Sequence, residues 1–158
     1  MRRAPAALVA LAVFATGVAL ATPVPVLTMA TDRGEIVASL DDGESLQYSY
    51  EQSIYVVSVF EEFVRAGDRL DLLRARSPDL RAVEYFRWDG EIRQQEDGLF
   101  TQDAPPSDVA ELVIRIMPGR RQTLRTPRWT RDLETAFGDS VVRVRAERRP
   151  RIVLLLAR

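Results

Sequence analysis

The sequence predicts a mainly β protein: an antiparallel β-sandwich or open barrel with one short helix, preceded by an N-terminal apolar helix. Three observations predict it. Short runs rich in β-branched and aromatic residues recur along the body of the chain. Gly, Pro and Asp turn signals separate them. A single stretch carries helix punctuation.

The N-terminal segment comes first. Arg2 and Arg3 precede the uncharged stretch Ala4 to Ala21, which closes on the small-x-small site Ala19-Leu20-Ala21. This is the pattern of a secretory signal peptide. Its length is also close to the ~20 residues that span a bilayer, and Pro23 and Pro25 stop a helix there, so an uncleaved membrane anchor fits as well. Residues 1–21 are therefore a signal peptide or a membrane anchor. Residues 22–158 form a single extracytoplasmic β domain of a size that suits one core.

Within that body, Val26–Met29 and Glu35–Leu40 flank the turn Asp32-Arg33-Gly34, and Asp41-Asp42-Gly43 leads into Ser45–Tyr50. There Leu46, Tyr48 and Tyr50 alternate with Gln47 and Ser49, the period of a half-buried strand. Val56–Arg65, the turn Ala66-Gly67-Asp68 and Arg69–Ala75 follow. The helix begins at Ser77 as N-cap with Pro78 in its first position, and Asp89-Gly90 ends it. The polar stretch Gln94 to Ser107 reads as a long loop beside a short hairpin around Glu91 to Leu99. Later strands are Glu111–Met117, Gln122–Arg125, Ser140–Glu147 and Ile152–Leu156.

Composition excludes much chemistry. The 158 residues contain no Cys, His or Lys, and all 22 basic residues are Arg, against 23 acids. Disulfides, thiol nucleophiles and zinc–thiolate sites are ruled out. So are Ser-His-Asp triads, Schiff bases and the P-loop lysine. The net charge of -1 argues against a nucleic-acid partner, which requires a basic face. No cofactor, catalytic residue or metal ligand set is expected. The acids of Asp41, Asp42 and Glu44 lack EF-hand spacing and read as a solvated turn.

Glu61 stands out. Adjacent strand residues point to opposite faces, so Glu61 shares the face of Val57, Val59 and Phe63. An acid on an apolar face must be paired or hydrogen-bonded. Either it belongs to a structural polar network or it is a ligand-contacting acid with a raised pKa. A hairpin centred between Val56 and Val57 places Gln52 directly opposite Glu61.

The run Leu46-Gln-Tyr-Ser-Tyr-Glu-Gln-Ser53 and the run Ser58-Val-Phe-Glu-Glu-Phe63 resemble the signature of the family known as domain of unknown function 1850. Tyr50 and Ser53 match its Tyr-x-His-Ser pattern. Val59, Glu61 and Phe63 match its Pro-Val-x-Glu-x-aromatic pattern. The likeness runs over roughly residues 26 to 147, with Gln52 where the family has His and Ser58 where it has Pro. It implies a small secreted or anchored envelope protein, accessory to tripartite (TRAP-type) transporters and their solute-binding proteins, with Tyr50, Gln52, Ser53 and Glu61 as the ligand-binding positions.

Three functions fit. The first is a non-enzymatic extracytoplasmic accessory or binding domain assisting a TRAP-type solute transporter. The second is a strand-pairing interaction module of the cell envelope. The third is a carboxylate-based hydrolase using Glu61 or an Asp of the long loop. The partners are transporter subunits or a solute-binding protein, and the membrane through the N-terminal segment where it is uncleaved.

Overall fold

The computed structural model describes residues 15–156. Residues 15–21 are helical, and the remainder of the apolar segment lies outside the described residues. Among the described residues no helix is long and apolar enough to cross a membrane.

Among the described residues eleven strands form two antiparallel sheets. β1 (Pro23–Ala30), β2 (Glu35–Ser39), β8 (Leu112–Arg115) and β11 (Val141–Pro150) make a four-stranded sheet in the order β2-β1-β11-β8. The larger sheet holds β3 (Ser45–Gln52), β4 (Val57–Ala66), β5 (Arg69–Ser77), β6 (Arg93–Gln94), β7 (Phe100–Asp103), β9 (Thr123–Arg125) and β10 (Thr130–Asp132). Its order is β10-β9-β3-β4-β5-β7-β6. Among the described residues no strand pair closes the sheets into a barrel; two antiparallel sheets enclose the core.

Period-two alternation sends Leu27 and Met29 of β1, Val142, Val144 and Ala146 of β11, Leu46 and Tyr48 of β3 and Phe63 of β4 into one core between the sheets. β5 alternates only because of a bulge. Glu62 pairs with Arg74 but Phe63 pairs with Leu72, so Leu73 is the extra residue. That extra residue lets Leu70 and Leu72 on one side and Ala75 and Ser77 on the other all face inward. Gly67, at φ 67°, supplies the left-handed position that the two-residue β4–β5 turn needs.

Arg65 joins the two layers. Its side chain is fully buried at the inward end of β4. It donates to Val26 O of β1 (2.7 Å), Leu40 O (2.8 Å), Glu147 O of β11 (2.7 Å) and Gly67 O (2.8 Å), and to Asp42 Oδ1 (3.1 Å). The Asp41-Asp42-Gly43 turn is therefore more than a solvated turn, because one of its acids anchors this guanidinium.

Several expectations are corrected. There are three short helices among the named elements instead of one. The first, α1 (Leu80–Glu84), is capped by Asp79, whose carboxylate accepts from Arg81 N–H at 2.9 Å. Ser77 stays in β5, its hydroxyl donating to Ser58 O, so it is not the N-cap. The second, α2 (Leu133–Phe137), runs from the Asp132 cap to Gly138 at φ 63°. The third, α3 (Ile152–Leu156), replaces the expected strand, since five apolar residues are too few for periodicity to separate helix from strand. The expected long loop contains β7, which pairs with β5 and with β6.

Candidate functional site

The β3–β4 hairpin carries the site. Its register pairs Tyr48 with Glu61, Tyr50 with Val59 and Gln52 with Val57. Gln52 is therefore not opposite Glu61, and the expected pairing is off by four residues. The physical reason is the turn. Ser53–Val56 closes it, with Val56 N–H donating to Gln52 O at 2.9 Å. Val56 adopts φ 55°, a left-handed conformation that a β-branched residue rarely takes, so the residue read as the start of a strand is the end of a turn. The offset is even, so Gln52 and Glu61 still share the inner face.

Glu61 and Glu62 diverge as neighbours on a strand must. Glu62 faces out between Arg74 (2.9 Å) and Arg76 (3.0 Å). Glu61 faces in and enters no ion pair among the described residues; its partner is the Tyr50 hydroxyl, which hydrogen-bonds its carboxylate. Burial pushes the Glu61 carboxyl above its ordinary range, and the Tyr50 bond offsets only part of that. Tyr50 is pushed up in turn, first by burial and then by the Glu61 charge. The Tyr48 and Tyr50 rings pack with centroids 5.1 Å apart.

Tyr48 is held from the other side. Gln122 is buried, and its Oε1 accepts from Met117 N–H at 2.7 Å. Its Nε2 donates to Arg115 O (3.0 Å) and to the Tyr48 hydroxyl oxygen (2.7 Å). The backbone partners fix the orientation of the amide, so Tyr48 accepts there and keeps its own O–H to give. Burial raises the Tyr48 phenol to about 12, so it remains protonated through the physiological range.

These groups line a cavity of about 290 Å³ between β3–β4 and the β8 edge of the smaller sheet. Leu112, Ile114 and Met117 supply its apolar wall. Arg120 and Glu51 stand at its side, 3.5 Å apart, with Glu51 N–H also donating to Arg120 O at 2.8 Å. The remaining cation, Arg115, turns to Asp139 at 2.6 Å.

Of the four residues singled out from sequence, the structure brings Tyr50 and Glu61 together in this cavity. Gln52 is buried beyond it, with an Oε1 that no protein group meets, and Ser53 is exposed on the turn. Sequence reasoning missed Tyr48 and Gln122. Tyr48 was detectable as the inward residue two positions before Tyr50. Gln122 was not, because its role depends on a loop contact across 74 residues.

Comparison with protein-family models, with curated proteins and with solved structures finds no match.

Proposed function

We propose that residues 22–158 form a non-enzymatic extracytoplasmic binding domain whose seat is the Glu61 cavity, serving as accessory to a TRAP-type solute transporter as the family resemblance implies. One observation carries the reading. Glu51, Glu62 and Glu111 each have an arginine, whereas Glu61 faces the cavity with a tyrosine hydroxyl alone. A ligand that brings positive charge supplies what the site lacks. The fitting class is a small organic cation, an ammonium or guanidinium seated on Glu61 beside the Tyr48 and Tyr50 rings, with an acceptor group toward the Tyr48 O–H. The hydrolase reading has less support, because Glu51, the other acid on the wall, is already engaged by Arg120.

Binding ties to protonation with a definite sign. The buried carboxyl holds its proton to a higher pH than usual in the free protein. A cation favours the ionised form, so affinity rises as pH rises through the free-state pKa, with release of a proton. Calorimetric titration with n-butylammonium, tetramethylammonium and guanidinium, beside neutral isosteres, tests this. The expected result is saturable binding of at least one cation, weaker at low pH and lost in Glu61→Gln with the fold intact. Equal responses from wild type and Glu61→Gln would defeat it. The location is tested by a reporter fused after Arg158, which is expected to be active only outside the cytoplasm.

A further inference from the structure

β1 pairs along its whole length with Arg143–Pro150 of β11, Pro23 opposite Pro150. The pairing is closed by Arg151 N–H, which donates to Thr22 O at 3.1 Å. The helical residues 15–21 and α3 are therefore attached at the same end of the two paired strands. α3 packs on β2 and β11 with Val153 and Leu154 half-buried. That packing leaves Ile152, Leu155 and Leu156 outward, 41%, 53% and 77% exposed. They lie at the end of the strands where the apolar stretch closes at Ala21.

The flanking charge has one sign in sequence. Arg148, Arg149 and Arg151 immediately precede the helix. Arg148 reaches Asp42 (3.9 Å) and Arg149 reaches both Glu147 (2.7 Å) and Glu35 (3.4 Å), while Arg151 enters no ion pair among the described residues and is the arginine of the collar left to meet lipid phosphate. An apolar turn behind a collar of arginines is the arrangement that seats in the boundary between lipid headgroups and acyl chains. The side chains enter the apolar layer and the long basic stems carry their charge to phosphates.

We propose that α3 and its arginine collar are a membrane-contacting face: Ile152, Leu155 and Leu156 lie in the surface of an anionic bilayer beside the point where the N-terminal segment enters it. This rests on the reading of residues 1–21 as a membrane anchor. The occupant is a lipid surface, not a protein groove, because the exposed leucines adjoin an uncharged run of 18 residues, Ala4 to Ala21, whose own solvent is a bilayer. The opposite end of the same sheet provides an internal control. β1 is eight residues long, so the Asp32-Arg33-Gly34 turn stands about 25 Å from the proposed surface.

The absence of cysteine makes the test direct, since one introduced thiol takes one label. The full chain carrying Leu156→Cys, Leu11→Cys or Arg33→Cys is labelled with an environment-sensitive fluorophore. It is then reconstituted into phosphatidylglycerol–phosphatidylethanolamine vesicles containing nitroxide-bearing lipids. Leu156 is the most exposed residue of the patch, so a label there does not disturb packing. The expected result is a blue-shifted emission, strongly quenched by the nitroxide lipids, at positions 11 and 156, and neither change at position 33. Quenching at 11 with position 156 no more quenched than 33 overturns the membrane face and leaves the anchor standing. No quenching at 11 overturns the anchor reading, and the proposal with it. Quenching at 156 that persists equally in vesicles of neutral lipid overturns the role given to the arginine collar.

Discussion

Truncating Arg65 to alanine should strongly destabilise this protein. The guanidinium, carried by β4 of the larger sheet, satisfies four backbone carbonyls: Val26 and Glu147 of the smaller sheet, and Leu40 and Gly67 in the connecting segments. A net value of about 1 kcal/mol for each such bond gives a loss of about 4 kcal/mol. Breaking a buried charged network by removing one member costs about 3–5 kcal/mol in general, so the two routes agree. A domain of this size has roughly 5–15 kcal/mol in total. At about 4 °C per kcal/mol the melting temperature should fall by about 15 °C. Urea unfolding followed by the fluorescence of Trp88 and Trp129 measures it. Arg65→Lys keeps the charge but has three donors on one centre and cannot reach all four carbonyls, so it should lose about half as much, ~2 kcal/mol. Asp42→Ala should cost under about 1 kcal/mol, because that carboxylate is half-exposed. The decisive variant is Arg65→Met, which keeps the stem and deletes every donor. If Arg65→Met unfolds within ~1 kcal/mol of wild type, the carbonyls do not need the guanidinium and the reasoning fails.

Other outcomes follow from the site. The raised pKa of Glu61 means the folded protein binds its proton more tightly than the unfolded chain. The stability associated with the protonated carboxyl is fully present below the unfolded pKa and is lost as pH rises through the folded one. Glu61→Gln should therefore gain on wild type as pH climbs, by at most ~1.4 kcal/mol per pH unit in that window, in urea titrations run at several pH values. Val56 is 64% exposed at φ 55°, so Val56→Asn, which tolerates that conformation, should stabilise by about 1 kcal/mol and raise the urea midpoint. Gln122→Leu strands Met117 N–H, Arg115 O and the Tyr48 hydroxyl, and should cost about 2–4 kcal/mol with faster hydrogen exchange at Met117.

How much of this was legible depends on what local pattern encodes. Alternation fixed the inward faces of β3 and β4, because burial on one side leaves a period of two in the residues themselves. It placed Tyr50 and Glu61 correctly on one face. It could not give the register, which depends on the length of the turn. The chain resolves that length by holding Val56 in a conformation its side chain disfavours. Leu72 and Leu73 in succession break the alternation of β5, and the structure resolves the break as a bulge. Asp132 and Gly138 bracket α2 with an ordinary cap and an ordinary stop, and were readable but unread. Arg65 carried a signal of the same kind as Glu61, a charge in phase with Val57, Val59 and Phe63. Its four carbonyl partners lie 2 to 82 residues away, and no local pattern encodes those contacts.

The two inward charges of β4 divide the sandwich between them. Arg65, fully satisfied, ties Val26 to Glu147 three residue pairs from where β1 and β11 end at Pro23 and Pro150. Glu61, only partly satisfied, lies four residues away along the same strand. Its cavity borders Leu112, which is opposite Val144, six residues before Pro150. At ~3.3 Å per residue that is about 20 Å from the end where both apolar segments emerge. Departures from local rules are spread over the fold: Val56, Arg87 and Arg121 hold positive φ, and the buried Gln52 Oε1, Thr101 Oγ1 and Gln102 Oε1 have no hydrogen-bond partner among the described residues. If α3 lies in a bilayer surface as proposed, the Glu61 cavity stands off from the lipid by that distance of about 20 Å, where a soluble ligand reaches it.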